Sequence, residues 1–314
     1  MDTNDWRLVK KRTADADGAV YVSANGTRYR RTGGAALRSE ATFQQMAASL
    51  GYPVPQVLEL GESNDGTFFV DEESLGEQSL HEKALASLDG GRELSDLVVD
   101  QLAEVSARLL SAQAAHPVDA GPEALRHWVE QAGWTHNVFA ENPDLDTPRT
   151  RAALTRATDE LSRMPLVWGH LDYGLPNVLA GGVIDWQHHG VMPLGYDVAL
   201  ALEVIPFKGG AKGYAATPEQ RDRYLAVLDS VARSAGCPPL SVHLGAFLLV
   251  KSLFFLALMR PTDPAQADKH QKWQYRRHLL LQGLKQYERT GNIDTARFPT
   301  FDGFTAGQGA PGRP

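Results

Sequence analysis

Residues 167–185 read VWGHLDYGLPNVLAGGVID, and the way this stretch folds decides what the rest of the 314-residue chain can be. It opens on a short apolar run and places His170, Asp172 and Asn177 in an H-x-D-x-x-x-x-N pattern, with Asp185 after a second apolar run as Ile184-Asp185-Trp186. A carboxylate that orients and deprotonates a hydroxyl, followed by an amide oxygen and a second carboxylate that hold Mg²⁺, are the parts a phosphoryl-transfer site needs. Turn chemistry bears on their pairing. With Ala180-Gly181-Gly182 as a three-residue hairpin loop, Val178 opposes Ile184 and Asn177 opposes Asp185, so both metal ligands leave the same face. A two-residue loop shifts the register by one and separates them.

Upstream, residues 6–12 (WRLVKKR), Ala19 to Ser23 and Thr27 to Thr32 read as strands, the last two joined by an Asn25-Gly26 turn, a strong hairpin signal. Leu37 to Leu50 then places Leu37, Ala41, Met46 and Leu50 on one helical face, and Gly51, Pro53 and Pro55 end that helix. Two more strands follow, Gln56 to Leu60 and Thr67 to Glu72, across the turn Ser63 to Gly66. After Gly76 the texture becomes helical: Leu94, Val98, Leu102, Val105, Leu109 and Ala112 form one stripe, and further helices are expected near 122–133, 147–163, 196–205, 217–236, 241–260 and 266–289. The reading is therefore an α+β chain of two lobes: a strand-rich lobe at 1–75, a helical lobe at 77–300, and a flexible Gly/Pro-rich tail at 301–314.

Composition excludes several other classes. A 43% hydrophobic, 22% charged chain is neither disordered nor fibrous, and a net charge of −7 argues against a general nucleic-acid or anionic-membrane binder. The single Cys237 excludes an internal disulfide and a cysteine-built zinc module. MDTNDWRLVKKRT has no apolar signal core, which fits a cytoplasmic protein. The most apolar run, Leu244 to Met259, is too short to span a bilayer, carries Lys251 in its middle and reads as a buried core helix. Trp273, Tyr275, Phe254 and Phe255 read as core side chains. No Gly-x-Ser-x-Gly elbow or Walker loop is present, and Gly307-Gln308-Gly309-Ala310-Pro311-Gly312 lacks the strand and helix that a dinucleotide fingerprint needs. His188-His189 reads as an exposed or substrate-rim pair, since adjacent side chains diverge and no cysteine is near.

Taken together, His170, Asp172, Asn177, the Gly-Gly hairpin, Asp185 and Asp197 downstream of a five-strand pattern resemble the aminoglycoside phosphotransferase and choline kinase family over roughly residues 6–290. The resemblance implies a protein-kinase-like bilobal fold, with a five-stranded antiparallel N-lobe carrying one helix and a mostly helical C-lobe. It implies that Asp172 is the catalytic residue, that Asn177 and Asp185 bind Mg²⁺, and that His170 and Asp197 brace the catalytic loop. It also implies a nucleotide, ATP or GTP, contacted by a strand cation paired with a helix Glu, here Arg31 and Glu40, and by main-chain groups of a hinge at Glu72, Glu73, Ser74 and Leu75. Thr13 to Gly18 would lie over the triphosphate. Arg31 departs from the family's Lys, and a planar fork does not position phosphate as a compact ammonium does. Arg30, Lys10 or Lys11 are alternatives, and Arg31 and Glu40 could instead be a surface ion pair of little worth.

The function implied is transfer of the γ-phosphate to a hydroxyl of a small molecule, antibiotics being one class, with no nucleic-acid, membrane or obligate protein partner. A pseudokinase or regulatory nucleotide binder is the alternative that Arg31 motivates. Residues 186–314 hold 15 Lys and Arg against 10 Asp and Glu, while residues 1–185 are net acidic, which argues against a polycationic acceptor.

Overall fold

The structure is a computed structural model that describes residues 6–11, 18–63, 66–88, 92–121, 123–125, 129, 134–203, 214–258 and 260–308. Strands β1 (Trp6–Lys11), β2 (Ala19–Ser23), β3 (Arg28–Gly33), β4 (Val57–Glu62) and β5 (Phe68–Glu73) form one antiparallel sheet in the order β1-β2-β3-β5-β4. The β2–β3 connection turns on Gly26 at φ 72°, and the Asn25 side-chain oxygen accepts from the Thr27 amide at 3.2 Å. Helix α1 (Ala35–Ser49) lies across the sheet and packs Leu37 and Ala41 on Phe68 and Val70. Register decides which charges share that face. Arg31 lies opposite Val70 and Tyr29 opposite Glu72, so Arg31 and Glu72 face α1, while the next cross-strand pair, Arg30 and Asp71, faces away.

The second lobe contains α2 (Leu80–Ala86), α3 (Asp96–Ala115), α4 (Trp134–Glu141), α5 (Pro148–Leu161), α6 (Pro218–Ser234), α7 (Leu244–Leu258), α8 (Ala267–Thr290) and α9 (Phe301–Gln308). Two short hairpin-like pairs, β6 (Leu166–Gly169) with β9 (Gly190–Pro193) and β7 (Val178–Leu179) with β8 (Gly182–Val183), carry the segment quoted above. α5 begins where Thr147 caps the Thr150 amide with Pro148 at the first helical position. α7 is apolar on every side, so it runs through the centre of the lobe, with Phe247, Leu248, Leu249, Val250 and Leu253 fully buried. Among the described residues no helix is long and apolar enough to cross a membrane.

Several expectations are corrected. Over the described part of the helix expected near 196–205, residues 196–203, the chain forms a short 3₁₀ turn at Val198–Leu200, and Asp197 at its start turns its carboxylate toward the loop at 170–171. Helix α2 was not anticipated, although Ser79 and Glu82 form a reciprocal capping box, a readable signal. The tail expected to be mobile is helical over Phe301–Gln308: Phe301 and Phe304 each stand 5.4 Å from the Tyr275 ring, an apolar pair three residues apart that the glycine content masked. Thr13 to Asp17, most of 122–133 and the segment after Gln308 lie outside the described residues.

Candidate active site

The segment quoted above leaves β6 at Gly169, and the next residues are held from below. Asp197 accepts the His170 amide on Oδ2 at 2.5 Å and the Leu171 amide on Oδ1 at 3.0 Å. A Cβ on Gly169 would stand 2.6 Å from that carboxylate, so only glycine lets the loop and Asp197 close on each other. The His170 ring is fully buried, and its Nε2 lies 2.8 Å from the Ile184 carbonyl. A carbonyl only accepts, so Nε2 carries the proton and the imidazole ties the loop to the strand before Asp185. Burial pushes the His170 imidazole below its ordinary range, against the pull of Asp197. His170 is a brace in this arrangement.

A second support comes from residues with no signal in the sequence. Tyr224 donates its hydroxyl to the Val198 carbonyl at 2.7 Å, which consumes its only proton. Ser106 on α3 must therefore donate to Tyr224 at 2.8 Å, and Tyr173, the residue after Asp172, must donate to Ser106 at 2.7 Å. This one-directional chain fixes the far side of the loop. Its members are spread over α3, α6 and the loop itself, so only the fold brings them together.

Asn177 turns its amide nitrogen toward Asp172, donating to the main-chain carbonyl at 2.9 Å and standing 3.4 Å from Oδ2. That choice leaves the amide oxygen as the atom available to a cation. The hairpin after it is tighter than expected: Val178 pairs with Val183 and Leu179 with Gly182, a two-residue loop at Ala180-Gly181, with the Ile184 amide bonded to the Asn177 carbonyl at 2.9 Å. The close docking explains the turn. Gly181 donates to the Leu75 carbonyl at 2.8 Å and Val183 to the Pro53 carbonyl at 2.7 Å, and a Cβ on Gly181 would meet Leu75 at 2.6 Å. The register shift by itself would separate Asn177 from Asp185, but Asp185 adopts a left-handed backbone (φ 66°, ψ 55°) that breaks the strand and re-aims its carboxylate. Trp186, fully buried and donating Nε1 to the Val183 carbonyl at 2.8 Å, anchors the chain just beyond.

In the N-lobe, Arg31 is buried, which rules out a surface ion pair. Its Nη1 reaches Glu40 at 2.7 Å, and its Nη2 reaches Gln44 at 2.9 Å and Glu72 at 3.1 Å. Burial alone would depress the guanidinium, but the Glu72 and Glu40 carboxylates more than offset this and hold it above its ordinary value. Burial pushes the Glu72 carboxyl up, against the pull of Arg31. Arg30 is not an alternative. It makes a two-pronged pair with Asp71 at 2.5 and 2.7 Å on the opposite face, between the rings of Trp6 and Phe69.

A cleft of about 460 Å³ between the lobes is lined by Arg31, Glu72, Glu73, Leu75, Asn177 and Asp185, with Lys10 and Tyr29 on the sheet side. The structure therefore brings six of the expected positions to one cavity. Glu40 stands behind Arg31, Asp172 joins through Asn177, and His170 and Asp197 lie beneath. The hinge is less open than expected: the Glu73 and Ser74 amides donate to the Gln56 and Thr27 carbonyls, both at 2.9 Å, and the Leu75 carbonyl serves Gly181. Ser74 is not part of the cleft wall. His189 stacks on Phe43 of α1 at 3.9 Å, which staples the lobes together, and with Phe43 and Trp168 it lines a surface cavity. An amide oxygen with one carboxylate suits Mg²⁺, which takes few protein ligands and completes its shell with phosphate and water. Among the described residues no cluster of three or more His, Cys, Asp or Glu that could hold a metal occurs.

A five-stranded lobe, a helical lobe and a cleft between them walled by Asn177 and Asp185 define a kinase-like fold. Residues 26–238 match the model of the phosphotransferase enzyme family, APH, and the chain belongs to that family. Among solved structures it is similar to a thermostable variant of aminoglycoside phosphotransferase APH(4)-Ia in ternary complex with AMP-PNP and hygromycin B, at 16% identity over 89% of this chain and 94% of that one, with a TM-score of 0.52. It is also similar to wild-type aminoglycoside 2'-phosphotransferase-IIIa in complex with GDP, at 16% identity over 91% and 94%, with a TM-score of 0.52. At such identities the likeness is one of fold. No curated protein matches the chain in sequence.

Proposed function

We propose that this chain transfers the γ-phosphate of a nucleoside triphosphate, ATP or GTP, to a hydroxyl of a small molecule. The observation that carries the reading is Asn177 beside a left-handed Asp185 on the wall of one cleft, with the Asn177 amide bonded to the Asp172 main-chain carbonyl at 2.9 Å and standing 3.4 Å from its carboxylate. Asp172 accepts or orients the acceptor's hydroxyl proton, and Asn177 holds it in register while presenting its own oxygen to the metal. Asn177 and Asp185 are the residues that would hold Mg²⁺, which when bound neutralises charge developing on the transferred group. His170 and Asp197 keep the loop rigid. The cleft's binding of a nucleotide is in keeping with similar proteins that hold AMP-PNP and GDP.

The charge of the C-terminal segment bears on the acceptor, whereas the cleft itself is lined by Glu72, Glu73, Glu77, Glu82 and Asp185 against Lys10 and Arg31. One similar protein binds hygromycin B, whereas residues 186–314 here carry 15 basic against 10 acidic residues. Helix α8 alone contributes Lys269, Lys272, Arg276, Arg277, Lys285 and Arg289 against Asp268 and Glu288. This balance favours a neutral or anionic hydroxyl compound over a polycation. A second reading, a nucleotide binder with little transfer, is favoured by Arg31, whose guanidinium is engaged by Glu40, Gln44 and Glu72 rather than left for phosphate. Lys10, on the cleft wall, is then the cation for the triphosphate.

Mg²⁺-dependent ATP and GTP turnover against a panel of cationic, neutral and anionic hydroxyl compounds separates the readings, with Arg31→Lys run beside the wild type. The expected outcome is turnover by the wild type with a neutral or anionic acceptor. Nucleotide binding without turnover on any acceptor, converted to turnover by Arg31→Lys, would establish the second reading.

A further inference from the structure

Leu171 immediately precedes Asp172 and has φ 67°, a left-handed backbone that a leucine adopts only when its surroundings impose it. Its two peptide planes are gripped by opposite charges. On one side the Leu171 amide donates to Asp197 at 3.0 Å. On the other, the Leu171 carbonyl accepts from Lys251 Nζ at 2.8 Å. The Leu171 carbonyl and the Asp172 amide belong to a single rigid plane, so whatever holds that carbonyl also sets the direction in which the chain enters Asp172.

Lys251 sits in the middle of α7, the most apolar helix of the lobe, at 1% exposure. Burying an ammonium there is costly, and an apolar residue of similar volume would commonly fold as well or better. The charge is instead framed by aromatic rings beside the loop. Its Nζ stands over the Tyr196 ring at 4.7 Å and the Phe255 ring at 5.6 Å, which ease its desolvation and direct it to the loop. Tyr196 is the residue before Asp197, so one short segment supplies both the ring under the ammonium and the carboxylate on the Leu171 amide.

We propose that Lys251 is a positioning residue: with Asp197 it clamps Leu171 in the left-handed conformation and so fixes where Asp172 stands. The clamp acts through the backbone, by way of the Leu171 carbonyl. Its link to turnover rests on the proposed role of Asp172, whereas its effect on the loop does not.

The test compares wild type, Lys251→Met and Lys251→Arg by hydrogen exchange of the amides of residues 170–172 and by Mg²⁺-dependent ATP hydrolysis with water as acceptor. Lys251→Met is expected to fold and melt no lower than the wild type, to exchange these amides at least tenfold faster, and to lose at least tenfold in kcat with KM for ATP within twofold. Lys251→Arg, which keeps donor and charge, is expected to retain most of both. Wild-type exchange in Lys251→Met, faster exchange with unchanged kcat, or a Lys251→Met chain that does not fold would each overturn the proposal. If the wild type hydrolyses no ATP with water as acceptor, the exchange rates decide the role of Lys251, and turnover against the acceptor panel decides the phosphotransferase reading separately.

Discussion

Asp197 meets two backbone amides with two carboxylate oxygens, one each, whereas a single Arg31 guanidinium faces two carboxylates and a carboxamide. Beneath Asp172 the hydrogen bonds of Asp197 and of the chain from Tyr173 through Ser106 and Tyr224 to Val198 are matched in number and direction, although His170 Nδ1 is buried with no hydrogen-bond partner among the described residues. Beneath α1 they are not: Arg31 Nε and Glu40 Oε2 are buried with no hydrogen-bond partner among the described residues. The first arrangement holds one geometry. The second carries an excess negative charge, and Glu72, pushed up by its burial, is where a proton can relieve it.

Breaking the matched side should do the most harm. Asp197→Ala strips two buried amides of their acceptor, and at about 1–3 kcal/mol for each orphaned donor the expected loss of stability is about 4 kcal/mol. Turnover should fall about 100-fold, since a misplacement near 1 Å costs that much. Urea denaturation and steady-state kinetics check both, and a variant with wild-type turnover would show that the loop is held elsewhere. On the unmatched side, Arg31→Met leaves two buried carboxylates facing each other. Breaking a buried pair costs about 3–5 kcal/mol, and the low end, about 3, is expected because Glu72 can take up a proton. Adding Glu72→Gln to Arg31→Met should then recover stability, and the double variant melting below the single one would contradict the charge argument.

The smallest effect is a pH dependence. His170 titrates lower in the folded chain than the unfolded value of about 6.5, so the unfolded state binds the proton more readily. Its contribution to stability is therefore complete above that pH and declines as pH falls through it toward the folded value. His170→Gln should flatten the melting temperature between pH 5 and 8 relative to wild type, and an equally steep profile in the variant would remove His170 as its source.

Much of this comparison was legible in the sequence, because the residues involved are either close along the chain or set by period. His170, Asp172, Asn177 and Asp185 fall within sixteen residues, and Arg31 with Glu40 follows from a strand running into a helix. The five strands and α1 follow from alternation, an Asn-Gly turn and a proline stop. What stayed hidden depends on long-range closure. The hairpin loop lost a residue because Gly181 and Val183 dock on Leu75 and Pro53, 106 and 130 positions away. Glu72 was expected to offer its backbone to a base, yet its side chain closes the Arg31 cluster, since strand alternation places it on the α1 face beside Gln44. His189 reads as a polar surface residue until Phe43 of the other lobe is set against it.

The central claim is that Asp172 performs phosphoryl transfer in a cleft that binds nucleotide independently of it. Single-turnover conversion of Mg²⁺-ATP, measured beside ATP affinity for wild type and Asp172→Ala, tests it most directly. The account predicts an affinity within about threefold and a transfer rate lower by about 100-fold or more, in keeping with the about 10²–10⁴-fold typical of a positioned acid or base. Near-normal transfer in Asp172→Ala would contradict it.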